Sequence, residues 1–149
     1  MQERDKVRDF LQLVKETIAN PVADQGWVLV PRPENKECII KLGFKYQGIK
    51  ETLLDLSVED YCEGPYQDRD QPGELWVFGK VMEGNVVYVK LKLASFGPLR
   101  IVRVISFHFA EHTLEYPFKE KEEDKNDRCE FHIVTLLNRV DPAFTGKRL

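Results

Sequence analysis

Residues 86–93 read V-V-Y-V-K-L-K-L, and no other stretch constrains the chain as much. Side chains alternate across an extended strand, so Val87, Val89, Leu91 and Leu93 share one face while Tyr88, Lys90 and Lys92 stand in line on the other. The first set is a core face. The period of two continues in 75–82 and 99–107, and the connections between the three runs are short enough for antiparallel hairpins. A three-residue loop at 83–85 pairs Leu75, Val77, Gly79 and Val81 with the apolar set and sets Lys80 opposite Tyr88. A two-residue Gly84-Asn85 turn would put Lys80 opposite Val89 on the buried face, so the three-residue loop is expected. In the third strand Ile101, Ile105 and Phe107 share the apolar face, with Arg103 as an exception. Arg100, Val102, Val104, Ser106 and His108 point the other way.

Upstream the apolar period is helical. Val7, Phe10, Leu11, Val14 and Ile18 form the stripe of a first helix that Pro21 ends. Residues 27–30 are a short strand closed by Pro31 and Pro33. A second helix is expected over 34–42, with Gly43 as its C-terminal cap. A third, over 47–56, buries Ile49, Leu53 and Leu54. Ser57 and Asp60 have capping-box character for a short helical turn presenting Tyr61, and 64–74 reads as a polar loop. The expected fold class is α+β: an antiparallel sheet, a three-stranded meander plus an additional strand, packed on N-terminal helices.

The 42% hydrophobic content over 149 residues suffices for a core without staples. Three cysteines (Cys38, Cys62, Cys129) at wide spacing make neither a disulfide framework nor a zinc motif. No apolar run approaches the ~18–20 residues that span a bilayer, and no apolar segment follows the charged N-terminus, so a cytoplasmic location is expected. The net charge of −3 gives no global attraction to nucleic acid, which leaves that role to a local patch. Between Trp76 and His108 the bases Lys80, Lys90, Lys92, Arg100 and Arg103 face one acid, Glu83: five minus one, a local +4.

Folded as expected, Lys80, Tyr88, Lys90, Lys92, Ser106 and His108 share one sheet surface. The set suits RNA cleavage without a metal or cofactor. The ribose 2′-hydroxyl loses a proton as it attacks phosphorus, and the 5′-oxygen gains one as it leaves. A histidine titrating near neutrality does either job. Lysines stabilise the phosphorane, and a tyrosine orients or exchanges a proton. The expected catalytic residues are His108, Tyr88 and Lys80, with Lys90, Lys92, Arg100 and Ser106 binding phosphate. The plainer reading of alternating lysines is a solvated face that guards against edge pairing.

The runs L-S-V-E-D-Y-C-E-G-P-Y-Q-D-R-D (56–70), E-L-W-V-F-G-K (74–80), V-Y-V-K-L-K-L (87–93) and I-S-F-H-F-A-E-H-T-L-E-Y-P-F (105–118) resemble those of MqsR-type toxins. These are the motility quorum-sensing regulator toxins of type II toxin–antitoxin pairs. The resemblance covers residues 1–118 and implies a RelE-like fold, sequence-specific mRNA cleavage, and an antitoxin with a helix-turn-helix DNA-binding domain. It puts the family's active-site tyrosine on Tyr88 and the lysine after S-F on His108. A further lysine falls near Glu63, and the glutamine after tryptophan falls at Val77 or in a gap. Residues 119–149, nearly all charged to 128 and apolar over 131–137, are a connector and extension outside the resemblance. Two other readings stand beside the toxin endoribonuclease. One is a non-catalytic interaction protein on the same fold, which Glu63 and Val77 favour. The other is a metal-dependent hydrolase using Asp60, Asp68, Asp70, His108 and His112.

Overall fold

The computed structural model describes residues 3–19 and 26–119. The chain divides between Phe118 and Lys119. The charged connector beyond Lys119, the apolar run at 131–137 and Pro21 all lie outside the described residues.

Helix α1 (Glu3–Ala19) buries Val7, Phe10, Leu11, Val14 and Ile18, the stripe its spacing predicts, together with Thr17. Strand β1 is Trp27–Leu29. Pro33 opens α2 (Pro33–Leu42), where a missing N–H costs nothing, and Gly43 closes it at φ 70. Helix α3 (Tyr46–Leu54) turns Ile49, Thr52 and Leu53 inward. The 3₁₀ turn Val58–Asp60 is held by the Ser57 N–H donating to the Asp60 carboxylate at 2.9 Å. Strands β2 (Tyr61–Gln67), β3 (Glu74–Met82), β4 (Asn85–Phe96) and β5 (Leu99–Phe109) complete the elements among the described residues.

The protein is α+β, with one mixed five-stranded sheet in the order β1-β5-β4-β3-β2. Strands β2 to β5 run antiparallel, whereas β1 pairs with β5 in parallel. The expectation of a wholly antiparallel sheet of three strands plus one is thereby corrected twice, in strand number and in direction. Strand β2 takes in the first four residues, 64–67, of what reads as a polar loop. It escapes pattern reading because its register shifts twice, between Tyr61 and Glu63 and between Glu63 and Tyr66, so it has no period of two. Gly64 sits at φ +108, and a Cβ there would lie 2.5 Å from the Leu75 carbonyl oxygen.

The three described α-helices cover one sheet face. Their buried side chains form a single core with Trp27, Trp76, Phe78, Val87, Val89, Leu91, Val102, Val104 and Phe107. Phe10 stacks on Trp76 at 4.4 Å between ring centroids and lies 6.3 Å from Phe78. Burial of each such side chain contributes roughly 1.5–3 kcal/mol. Leu75, Val77 and Ile105 are also buried but lie outside this core. They belong to the other face, which is itself partly covered. Beyond β5 the chain crosses that face, and a Cβ on Gly79 would come within 2.6 Å of Leu114 Cδ1 and 2.5 Å of the Tyr116 hydroxyl. Glycine at 79 allows this close approach.

Two details of register decide which side chains reach the outer face. Met82 pairs with Asn85, so the β3–β4 turn is Glu83-Gly84. Both residues have positive φ, 50° and 80°, as a two-residue type I′ turn requires. Lys80 therefore faces Val87, and Gly79 faces Tyr88. The expected three-residue loop is wrong by one residue, and Lys80 moves to the helix side. In β5 a bulge lies between the pairs Lys90–Ser106 and Leu91–Val104, leaving Ile105 as the extra residue. The bulge inverts parity below it, so Val102 and Val104 enter the core and Arg103 emerges opposite Lys92. Arg103 is no exception to the alternation; it marks where the alternation changes phase.

The buried Asn35 side chain secures this bulge. Its amide N–H₂ donates to Ile105 O at 3.1 Å and Val30 O at 2.9 Å, and its oxygen accepts from Phe107 N–H at 2.9 Å. The side chain thus continues the hydrogen bonding of the three-residue β1 along β5, where an open edge would leave buried backbone groups unpaired.

Candidate functional site

The outer face brings together Tyr88 and His108, paired directly across β4 and β5. Their rings stack at 5.2 Å with 14° between planes. His108 Nδ1 lies 3.1 Å from the Phe109 carbonyl oxygen. Because a carbonyl only accepts, Nδ1 carries the hydrogen and Nε2 keeps its lone pair in the neutral ring. Burial raises the Tyr88 phenol well above the ordinary tyrosine range, and the nearby Tyr66 hydroxyl and Glu63 carboxylate push the same way. Tyr88 is a protonated donor through neutral pH.

One row along β4 comes Lys90, whose Nζ lies 5.8 Å from the Tyr88 ring centroid and 5.9 Å from that of Tyr66. Lys90 opens onto a polar pocket of ≈ 500 Å³ bounded by the 66–71 loop, Arg32, Leu75, Arg103 and Ile105. Four cations line it: Arg32, Arg69, Lys90 and Arg103. The lining carboxylates are Asp68 and Asp70, and Asp68 is already neutralised by Lys92 at 2.9 Å. Four cations thus oppose one remaining acid, Asp70, and among the described residues none of the four has a carboxylate partner within 4.0 Å. The pocket attracts anions, although the chain as a whole is acidic.

The expected site residues separate accordingly. His108, Tyr88 and Lys90 come together. Ser106 pairs with Lys90 across the strands but is buried. Lys92 shares the face, yet it is only 4% exposed and committed to Asp68, so it is a structural residue and not a free phosphate ligand. Lys80 is withdrawn from the catalytic set. It lies across the sheet from Tyr88, with Nζ 2.9 Å from Asp55 Oδ2 and 3.3 Å from Asp60 Oδ2. Partial burial pulls its pKa down, but the two carboxylates outweigh this and hold it above the ordinary lysine value. Arg100 pairs with Ser95, three residues along β4 from Lys92, and so takes the opposite parity.

The same geometry dismantles the metal-ligand set. Asp60 is engaged by Lys80 and Ser57, and Asp68 by Lys92. Among the described residues no three of His, Cys, Asp and Glu gather around one point. Neither cysteine among the described residues is a ready thiolate: burial pushes the Cys38 thiol up to about 11, and burial together with Glu63 and Asp60 pushes Cys62 up to about 12.

No family model, curated protein or solved structure matches this chain. The site must speak for itself. Sequence reading missed Tyr66, Arg32 and Arg69 and counted Arg103 only toward the local charge; they approach from an irregular strand, the turn before α2, a loop and a bulge, in that order. Only Arg103 left a signal, as a charge at a position that alternation assigned to the core. No described helix is long and apolar enough to cross a membrane.

Proposed function

We propose that this protein is a metal-independent endoribonuclease that uses the ribose 2′-hydroxyl as nucleophile. The observation that carries the proposal is the stacked Tyr88–His108 pair beside an anion-attracting pocket. His108 Nε2 takes the 2′-hydroxyl proton while the new P–O2′ bond forms and the P–O5′ bond breaks. Lys90 and Arg103 offset charge on the phosphorane. Tyr88, kept protonated, donates a hydrogen bond to the departing 5′-oxygen, which takes its proton from solvent.

On the resemblance to MqsR-type toxins, the nuclease is the toxin of a type II pair with a RelE-like fold. It acts on mRNA in the cytoplasm and is neutralised by a helix-turn-helix antitoxin. A small helix-turn-helix reading frame beside its own would support that role. One observation favours a non-catalytic binding protein instead: exposed Glu63 pairs with Val77 on the outer face, near Tyr88, where it repels phosphate.

A single assay decides between the two. Purified protein should cleave single-stranded RNA in the presence of chelator and leave 5′ fragments ending in a 2′,3′-cyclic phosphate. Folded His108→Gln should lose ~10²–10⁴-fold in rate. Wild-type rates in that variant would remove the mechanism.

A further inference from the structure

Beyond phosphate contacts, the pocket has a wall whose chemistry suits a flat, unstacked ring. Tyr66 lines it and remains 37% exposed. Its backbone pairs with Leu75 across β2 and β3, and Lys90 Nζ lies 5.9 Å from its ring centroid, so the strand sets the ring at the pocket before any ligand arrives. The following residues are fixed equally firmly. Asp68 N–H donates to Gly73 O at 3.0 Å, Asp70 N–H donates to Asp68 Oδ1 at 2.9 Å, and the Asp68 carboxylate is anchored on the nearly buried Lys92 at 2.9 Å. Gly73, at φ +123, lets Lys92 through: a Cβ there would lie 2.6 Å from Lys92 Cε. This ordered wall also carries Gln67 and Gln71, each with an amide that both donates and accepts.

We infer that Tyr66 and the 67–71 wall form a subsite for one nucleobase of single-stranded RNA, next to the phosphate held by Lys90 and Arg103. The ring supplies a stacking surface, and the glutamine amides read the base edge. The buried Lys92–Asp68 pair positions the wall, which gives that pair a purpose other than binding phosphate. A cavity of ≈ 500 Å³ falls in the size range of small-ligand sites. Aromatic stacking beside a cationic groove is the general means of holding single strands. The inference rests on the RNA reading above, but its test is a binding measurement and stands apart from cleavage.

The probes are 2′-O-methyl tetranucleotides, which lack the attacking hydroxyl, and an abasic tetramer of equal charge, titrated against the full chain. Wild type should bind the base-bearing tetramers more tightly than the abasic one. Tyr66→Ala should weaken base-bearing tetramers on the order of ten- to a hundredfold and leave the abasic tetramer unchanged. Tyr66→Phe, which keeps the ring, should stay within about threefold of wild type. Equal affinity of wild type for both probe types, or equal losses on both in Tyr66→Ala, overturns the subsite and leaves the nuclease reading intact. Wild type that binds neither probe overturns the subsite, and absence of RNA cleavage would then remove the nuclease reading as well. Should Tyr66→Ala fail to fold, Gln67→Ala and Gln71→Ala decide. Each should alter the order of preference among A, C, G and U tetramers, and an unchanged order in both would overturn the subsite.

Discussion

The rings of Tyr88 and His108 stack at 5.2 Å, 14° from parallel. Such a pair contributes about 0.5–1.5 kcal/mol beyond burial, so structure and chemistry are coupled at this point. Tyr88→Phe separates them. The stack survives, while the hydroxyl is lost and RNA cleavage should fall ~10²–10³-fold with little change in stability near neutrality. Burial raises the Tyr88 pKa in the folded state. Its contribution to stability is therefore fully present below the unfolded value of about 10 and is lost as pH rises toward the folded one. Tyr88→Phe should make thermal unfolding less sensitive to pH above about 10. An equal alkaline slope in both proteins would show that the half-buried Tyr88 hydroxyl is not shielded from water.

The two arginines of β5 make an opposed pair of expectations. Arg103 lines the pocket, whereas Arg100 takes the other parity. Arg103→Ala should flatten the salt dependence of RNA affinity by about 0.7 in log–log slope, the loss of one phosphate contact on a single strand. Arg100→Ala should leave the slope unchanged. The reverse result would place the bulge wrongly.

Lys80 looks catalytic in a sequence aligned by alternation and is structural in the fold. With Asp55 at 2.9 Å and Asp60 at 3.3 Å, Lys80→Ala should cost about 0.5–1 kcal/mol in chemical denaturation, the modest value of a partly exposed pair. Its cleavage rate per folded molecule should match wild type. A rate loss comparable to that of Tyr88→Phe would return Lys80 to the site.

The β3–β4 turn offers a gain. Glu83 is held at φ 50 at the first position of a type I′ turn, where asparagine followed by glycine is strongly preferred. Glu83→Asn should stabilise the protein by about 1 kcal/mol and raise its melting temperature by a few degrees. A three-residue loop in solution would gain nothing from the change.

Much of the framework is legible in the chain. Five apolar residues of α1 at helical spacing, the glycine after α2 and the alternation in β4 each specify a local conformation through sterics or burial that neighbours within a few residues supply. Sequence by itself therefore determined where the helices fall, which face of β4 is core, and that Tyr88 and Lys90 share the opposite face. Tertiary structure decided what stands beside them. The one-residue difference in a turn sent Lys80 to the far side, and a single bulge residue brought Arg103 out. An irregular edge strand carried Tyr66 to Lys90, beside Tyr88. A register slip of one residue inverts every side chain beyond it, and the free energies that select the register come from distant groups such as Asn35. No local pattern in the chain records those contacts, and the candidate site is built almost entirely from them.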